Sequence, residues 1–174
     1  MDGNLKLNNK IAAAMVALGA CARLIPHPWN FTPMIAIGLY AGAKSVKIRA
    51  GILITILALL LSDAVIGFYR GMWYVYAASL LAVMAGRLIR NREGIGAVSI
   101  AAFTAGLLFF LTTNFVVWAG GPRYPHTAAG LAACYVAAVP FYQNQVLGDV
   151  FYTLALFGGH ALISRMAQRE PRVA

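Results

Sequence analysis

Six apolar runs, at about 9–25, 32–46, 49–69, 72–90, 95–119 and 144–166, succeed one another with only short polar connections between most of them. A helix that crosses a bilayer needs ~20 mostly apolar residues, and its backbone polar groups must be satisfied within the helix itself. The runs therefore predict an all-α membrane protein, a six-helix transmembrane bundle forming a single domain over residues 1–174. Composition agrees: 61% of residues are hydrophobic and 11% charged, where a water-soluble domain carries roughly 45–50% and about 25%. The first run has no small-residue cleavage site followed by a long soluble region, so it reads as a span and not as a signal peptide. A seventh apolar stretch, 127–139, is too short to cross and ends at Pro140. It predicts a short re-entrant or lid helix between spans five and six. Asn30-Phe31-Thr32-Pro33 reads as the start of the second span, a capping side chain followed by a proline.

The net charge of +9 would suggest nucleic acid in a soluble protein, but its distribution argues for a membrane and no nucleic acid. Of the 14 Lys and Arg residues, all but Arg23, Arg70 and Arg123 fall at the two ends of the chain or in connections 2–3 and 4–5. Basic residues concentrate in cytoplasmic loops. The alternation thus predicts a bacterial inner-membrane protein with both termini in the cytoplasm.

That orientation assigns depth to the polar residues. Asp63 falls in the outer third of span three, Asn114 near the outer end of span five, and Asp149 about two turns into span six. Trp29, Asn30, Tyr124, His126, Phe141 and Asn144 belong to the outer connections and helix ends. Ionisable groups inside a span are costly, ~2.5–3.5 kcal/mol at its centre, and usually face a cavity or a partner. Asp63 and Asp149 therefore either pair with Arg23 or a helix end, or line an outward-facing pocket. Aromatic residues gather at the same end, as an interfacial belt or as the walls of a site for a flat amphipathic molecule. The candidate binding set is Asp63, Asn114, Asp149, Trp29, Asn30, Tyr124, His126, Phe141 and Asn144, with 124–140 as a lid. His160 stands alone and reads as a packing residue.

Catalytic motifs are absent: the chain has no GxSxG, HExxH, P-loop or GxGxxG. No catalytic residue and no cofactor is expected. On the first span Ala13, Ala17 and Ala20 share one face, and small residues let helices approach closely in lipid. That face either packs inside the bundle or docks another membrane subunit.

Several motifs carry a family resemblance: His27-Pro28-Trp29-Asn30-Phe31-Thr32-Pro33, Ser62-Asp63, Thr113-Asn114-Phe115 with Trp118, and Gly130-Leu131 through Cys134-Tyr135 to Pro140-Phe141. With these the chain resembles the small bacterial membrane proteins of the DUF6580 family over nearly its whole length. In topology, and in the Ala13–Ala17 spacing, it also resembles the substrate-binding S-components of energy-coupling-factor (ECF) vitamin transporters. That resemblance implies an outward pocket, a vitamin-like substrate and a coupling subunit docked on the first helix. The nearest such type is the solitary one associated with cobalamin, where cobalamin is substrate, not cofactor, and a cysteine ligates its cobalt. Here the ligand would be Cys21 or Cys134. Three functions stand as expectations. The first is a membrane transport component capturing a vitamin-like molecule from the periplasm. The second is a structural or assembly subunit of a larger membrane complex, and the third a membrane-embedded lipid-modifying enzyme.

Overall fold

The computed structural model describes residues 9–169. Lys6 and Arg172, which belong to the basic residues at the chain ends, lie outside the described residues. The chain is all-helical there: α1 (Asn9–Leu24), α2 (Met34–Lys44), α3 (Ile48–Ile66), α4 (Met72–Ile89), α5 (Ile95–Gly120), α6 (Ala128–Thr153) and α7 (Gly159–Arg169), with a π-helical turn, Leu154–Gly158, joining the last two. The backbone stays helical through both junctions, so α6, the π turn and α7 form one helix.

That continuity differs from the expectation of a separate lid at 127–139. The whole stretch Ala128–Met166, 39 residues, is one apolar helix. It begins properly capped, with the Thr127 side chain accepting from the Gly130 N–H at 3.1 Å. Pro140 lies inside it. A proline in mid-helix removes one backbone hydrogen bond and clashes with the preceding turn, yet membrane helices tolerate it where local adjustment re-satisfies the freed groups. The lone proline is therefore a poor stop signal. Pro33 also sits one position earlier than expected: it is the N-cap of α2 and makes no side-chain capping bond.

Among the described residues, four helices are long and apolar enough to cross a membrane: α3, α4, α5 and Ala128–Met166. Large apolar side chains stay exposed around them, among them Leu53, Val65, Leu88, Ile100, Phe103, Val136 and Leu154. An apolar outer surface of that extent needs lipid, not water, as its solvent. The chain is a membrane protein. The shorter α1 and α2 measure ~24 and ~17 Å at 1.5 Å per residue.

The short α2 is the centre of the bundle. Every residue from Met34 to Ala43 is buried, and α2 touches α1, α3, α4, α5 and α6. Its closest neighbour is α4, where the two backbones nearly meet. A methyl group on Gly42 would run into the Val83 carbonyl, and one on Gly86 into the Leu39 carbonyl. In lipid, apolar bulk supplies no driving force for association, so close packing of small residues has to supply it. At the end of the bundle rich in Lys and Arg, Arg87 and Arg90 donate to the Ser45 and Val46 carbonyls just past α2, at 3.3 and 3.0 Å. Lys44 pairs there with Glu93. We call this the basic end and the opposite one the aromatic end.

Candidate functional site

At the aromatic end the helices splay around a cavity of about 370 Å³. Its position results from the shortness of α2. Because α2 starts only at Met34, the connection from α1 folds down into the bundle mouth and rests on α6. The backbone of Phe31 and Thr32 lies against Gly148, where a Cβ would sit 3.2 Å from each. Asn30 turns this connection with φ 65°, a left-handed conformation that Asn tolerates better than most side chains. Trp29 then meets Phe141 of α6 edge to face, ring centroids 6.4 Å apart.

The wall is aromatic on several sides, with Trp29, Tyr69, Tyr74, Phe109, Phe110 and Phe141, and its polar groups include Arg23, Asn30, Asn114, Gln145 and Asp149. Burial, and next the neighbouring Asp63, raise the Tyr69 phenol above its ordinary pKa, so Tyr69 meets the cavity as a neutral hydroxyl. At the base, Gln145 Nε2 donates to the Gly106 carbonyl at 2.8 Å and to Asp149 Oδ2 at 3.3 Å. This closes α5 onto α6. The arrangement can stack a flat ring between aromatic walls while offering a guanidinium at one side and a carboxylate at the floor.

Of the expected residues, Trp29, Asn30, Asn114, Phe141 and Asp149 share this cavity. Asp63 does not border it. Its side chain is fully buried behind Arg23, with Arg23 Nη2 at 2.8 Å from Oδ1 and the Tyr76 hydroxyl donating to Oδ2 at 2.7 Å. Arg23 Nη1 also donates to Ser62 Oγ at 2.6 Å. Asp63 thus holds the guanidinium that faces the cavity. Tyr124 and His126 lie in the α5–α6 connection, where His126 packs edge-on against Trp118, and Asn144 sits on α6 away from the cavity wall.

Asp149 lies deeper than two turns into its span. Since α6 begins at Ala128, it is ~32 Å along that helix, level with Gly106 in the middle of α5. Sequence reasoning passed over Gln145, Phe109 and Phe110, and read Arg23 only as a counter-charge. The i, i+4 pairing of Gln145 with Asp149 was the available signal.

Neither cysteine reaches the cavity. Cys134 is buried with its thiol donating to the Asn114 carbonyl at 3.5 Å, and Cys21 is exposed on α1. Among the described residues no group of three or more His, Cys, Asp or Glu side chains could hold a metal ion. On α1, Ala13 and Ala17 are exposed while Ala20 is buried in the bundle. His160 is not alone: its Nδ1 is hydrogen-bonded to the Tyr40 hydroxyl at 2.7 Å.

No curated protein and no solved structure matches this chain. A family model does: that of a family of unknown function, DUF6580, over residues 4–171. The chain belongs to the DUF6580 family.

Proposed function

We propose that this DUF6580 protein is the substrate-capturing component of a membrane uptake system, taking a vitamin-like small molecule from the periplasmic side into the cavity at the aromatic end. One observation carries the reading. An aromatic-walled cavity with convergent polar groups lies at the end of the bundle with few basic residues, which basic-residue bias would place in the periplasm. The volume is at the lower end of ordinary small-molecule pockets, ~300–1,000 Å³. It suits a single heteroaromatic ring system with a polar substituent. A corrinoid suits it less well, both by size and because Cys21 and Cys134 lie elsewhere.

In this reading the helices cross the inner membrane six times, with both termini in the cytoplasm. The aromatic walls hold the ring, Arg23 and Asn114 meet acceptor and donor groups, and Asp149 closes the floor. The exposed Ala13–Ala17 face of α1 would let a partner helix approach, either an ECF-type coupling subunit or another subunit of a larger complex. The test is native mass spectrometry of protein extracted in mild detergent. We expect a retained small molecule in the wild type that is lost in Asn114→Leu and in Phe141→Ala, both still folded. No retained molecule, or the same one retained in all three, overturns the proposal.

A further inference from the structure

A second opening lies below the first. Between α5 and the Ala128–Met166 helix, towards the basic end, the two helices part and leave an apolar groove of about 600 Å³. Its walls are Val98, Ala102, Phe103, Val146, Val150 and Phe157. The parting has a local cause. Gln145, which also donates to Asp149, fastens α6 to Gly106, and beyond Thr153 the helix changes to a π turn. A π turn rotates the helix beyond it, and such turns recur at functional sites.

The groove is mostly apolar, with Glu93, Ser99 and Arg165 on the side of the basic end and Asp149 and Thr153 at that fastening point. Asp149 and Thr153, one turn apart, both border it, and they are only 5% and 6% exposed. Asp149 Oδ1 and Thr153 Oγ1 have no hydrogen-bond partner among the described residues. A lipid tail would fill the apolar walls but leave both oxygens unmet, and an unmet buried acceptor is expensive, the more so if charged. Basic residues do not answer the need. Lys44 is already paired with Glu93 at the far rim, and Arg165 lies ~24 Å of helix away from Asp149. The missing partner is a donor, preferably positive, attached to an apolar body.

We propose that this groove is a second binding site, taking an organic monocation with an apolar chain, its ammonium held by Asp149 Oδ1 and Thr153 Oγ1. It shares Asp149 with the upper cavity but uses different walls, so it stands or falls separately from the uptake reading.

The experiment uses the full chain in lipid nanodiscs and radiolabelled n-octylammonium, with empty nanodiscs correcting for partition into lipid. We expect one saturable component that n-octanol and octanoate displace only weakly. Asp149→Asn and Thr153→Val should each weaken it, by about tenfold to a hundredfold for the loss of the charge-assisted bond at Asp149. Ser99→Trp, which fills the groove from an exposed position, should abolish it. Should Asp149→Asn fail to fold, the Thr153 and Ser99 variants decide. No saturable component, displacement by octanol as effective as by octylammonium, or full binding in Ser99→Trp overturns the proposal. Loss in Asn114→Ala with Ser99→Trp unaffected also overturns it, and moves the cation to the upper cavity.

Discussion

Asp63 shows what a single residue's sequence context can and cannot convey. An acidic residue in an apolar run must meet a partner or a cavity, and that much was legible. Choosing between the two required knowing that Arg23, at the end of α1, reaches across to α3 while Tyr76 arrives from α4. The pair ties three helices together at one buried point. Removing one member leaves the other uncompensated, which typically costs ~3–5 kcal/mol. Asp63→Asn and Arg23→Met should therefore each lower the unfolding free energy by roughly 3 kcal/mol, measured by denaturant titration in micelles. The double variant Asp63→Leu with Arg23→Met should recover most of the loss. A single-variant penalty under about 1 kcal/mol, the range of exposed pairs, would mean the pair is solvated. Asp149 could not be resolved in this way from sequence, because its neighbours Gly106 and Gln145 give no charge signal.

Among the elements, those with a strong hydropathy signature were legible and those set by packing were not. The long runs predict α3, α4 and α5 within a few residues. The central role of α2 escapes hydropathy, since a buried core helix and a lipid-facing one are equally apolar. The signal available was Gly38-x-x-x-Gly42, a small-residue spacing suited to close crossing. Gly42→Val should destabilise the bundle by roughly 1–3 kcal/mol or prevent folding, since the added atoms press on the Val83 backbone, which cannot yield as a side chain does. Gly96→Ala, where a Cβ meets open space, should be neutral or gain up to about 1 kcal/mol. Thermal melting of the purified variants separates these outcomes. The last helix was misread because Pro140 looked like an end. Spin labels at the exposed positions Val136 and Leu162 should lie ~39 Å apart along a continuous helix, as read by pulsed electron resonance. A distance under about 25 Å would restore a helix that turns back at Pro140, since spans cross at only modest tilts.

For the whole molecule, four long apolar helices and two short ones have to share one bilayer. The ~24 Å of α1 and ~17 Å of α2 fall short of a ~30 Å hydrocarbon core, although α2 never meets lipid because its neighbours bury it. Under the proposed orientation, two arrangements share the same parity. In one, α1 and α2 cross, and the connection near His27 opens to the periplasm. In the other they enter from the cytoplasm and turn back inside the membrane. Reporter fusions cannot separate these, because both put Lys47 and the C-terminus on the cytoplasmic side. Fusions still test the frame: a periplasm-active reporter should signal after Arg70 or Arg123, and stay silent after Lys47, Arg92 or Ala174. The connection itself decides the rest. His27 and Trp29 are exposed or nearly so at the mouth of the cavity, beside Arg23 and Ile66 at the aromatic end of α3. His27→Cys, placed in a Cys21→Ser, Cys134→Ser background, should therefore react with a membrane-impermeant maleimide added to intact cells with a permeable outer membrane. Labelling only after the inner membrane is broken would mean that α1 and α2 turn back, that the cavity is closed to the periplasm, and that uptake through the aromatic end is excluded.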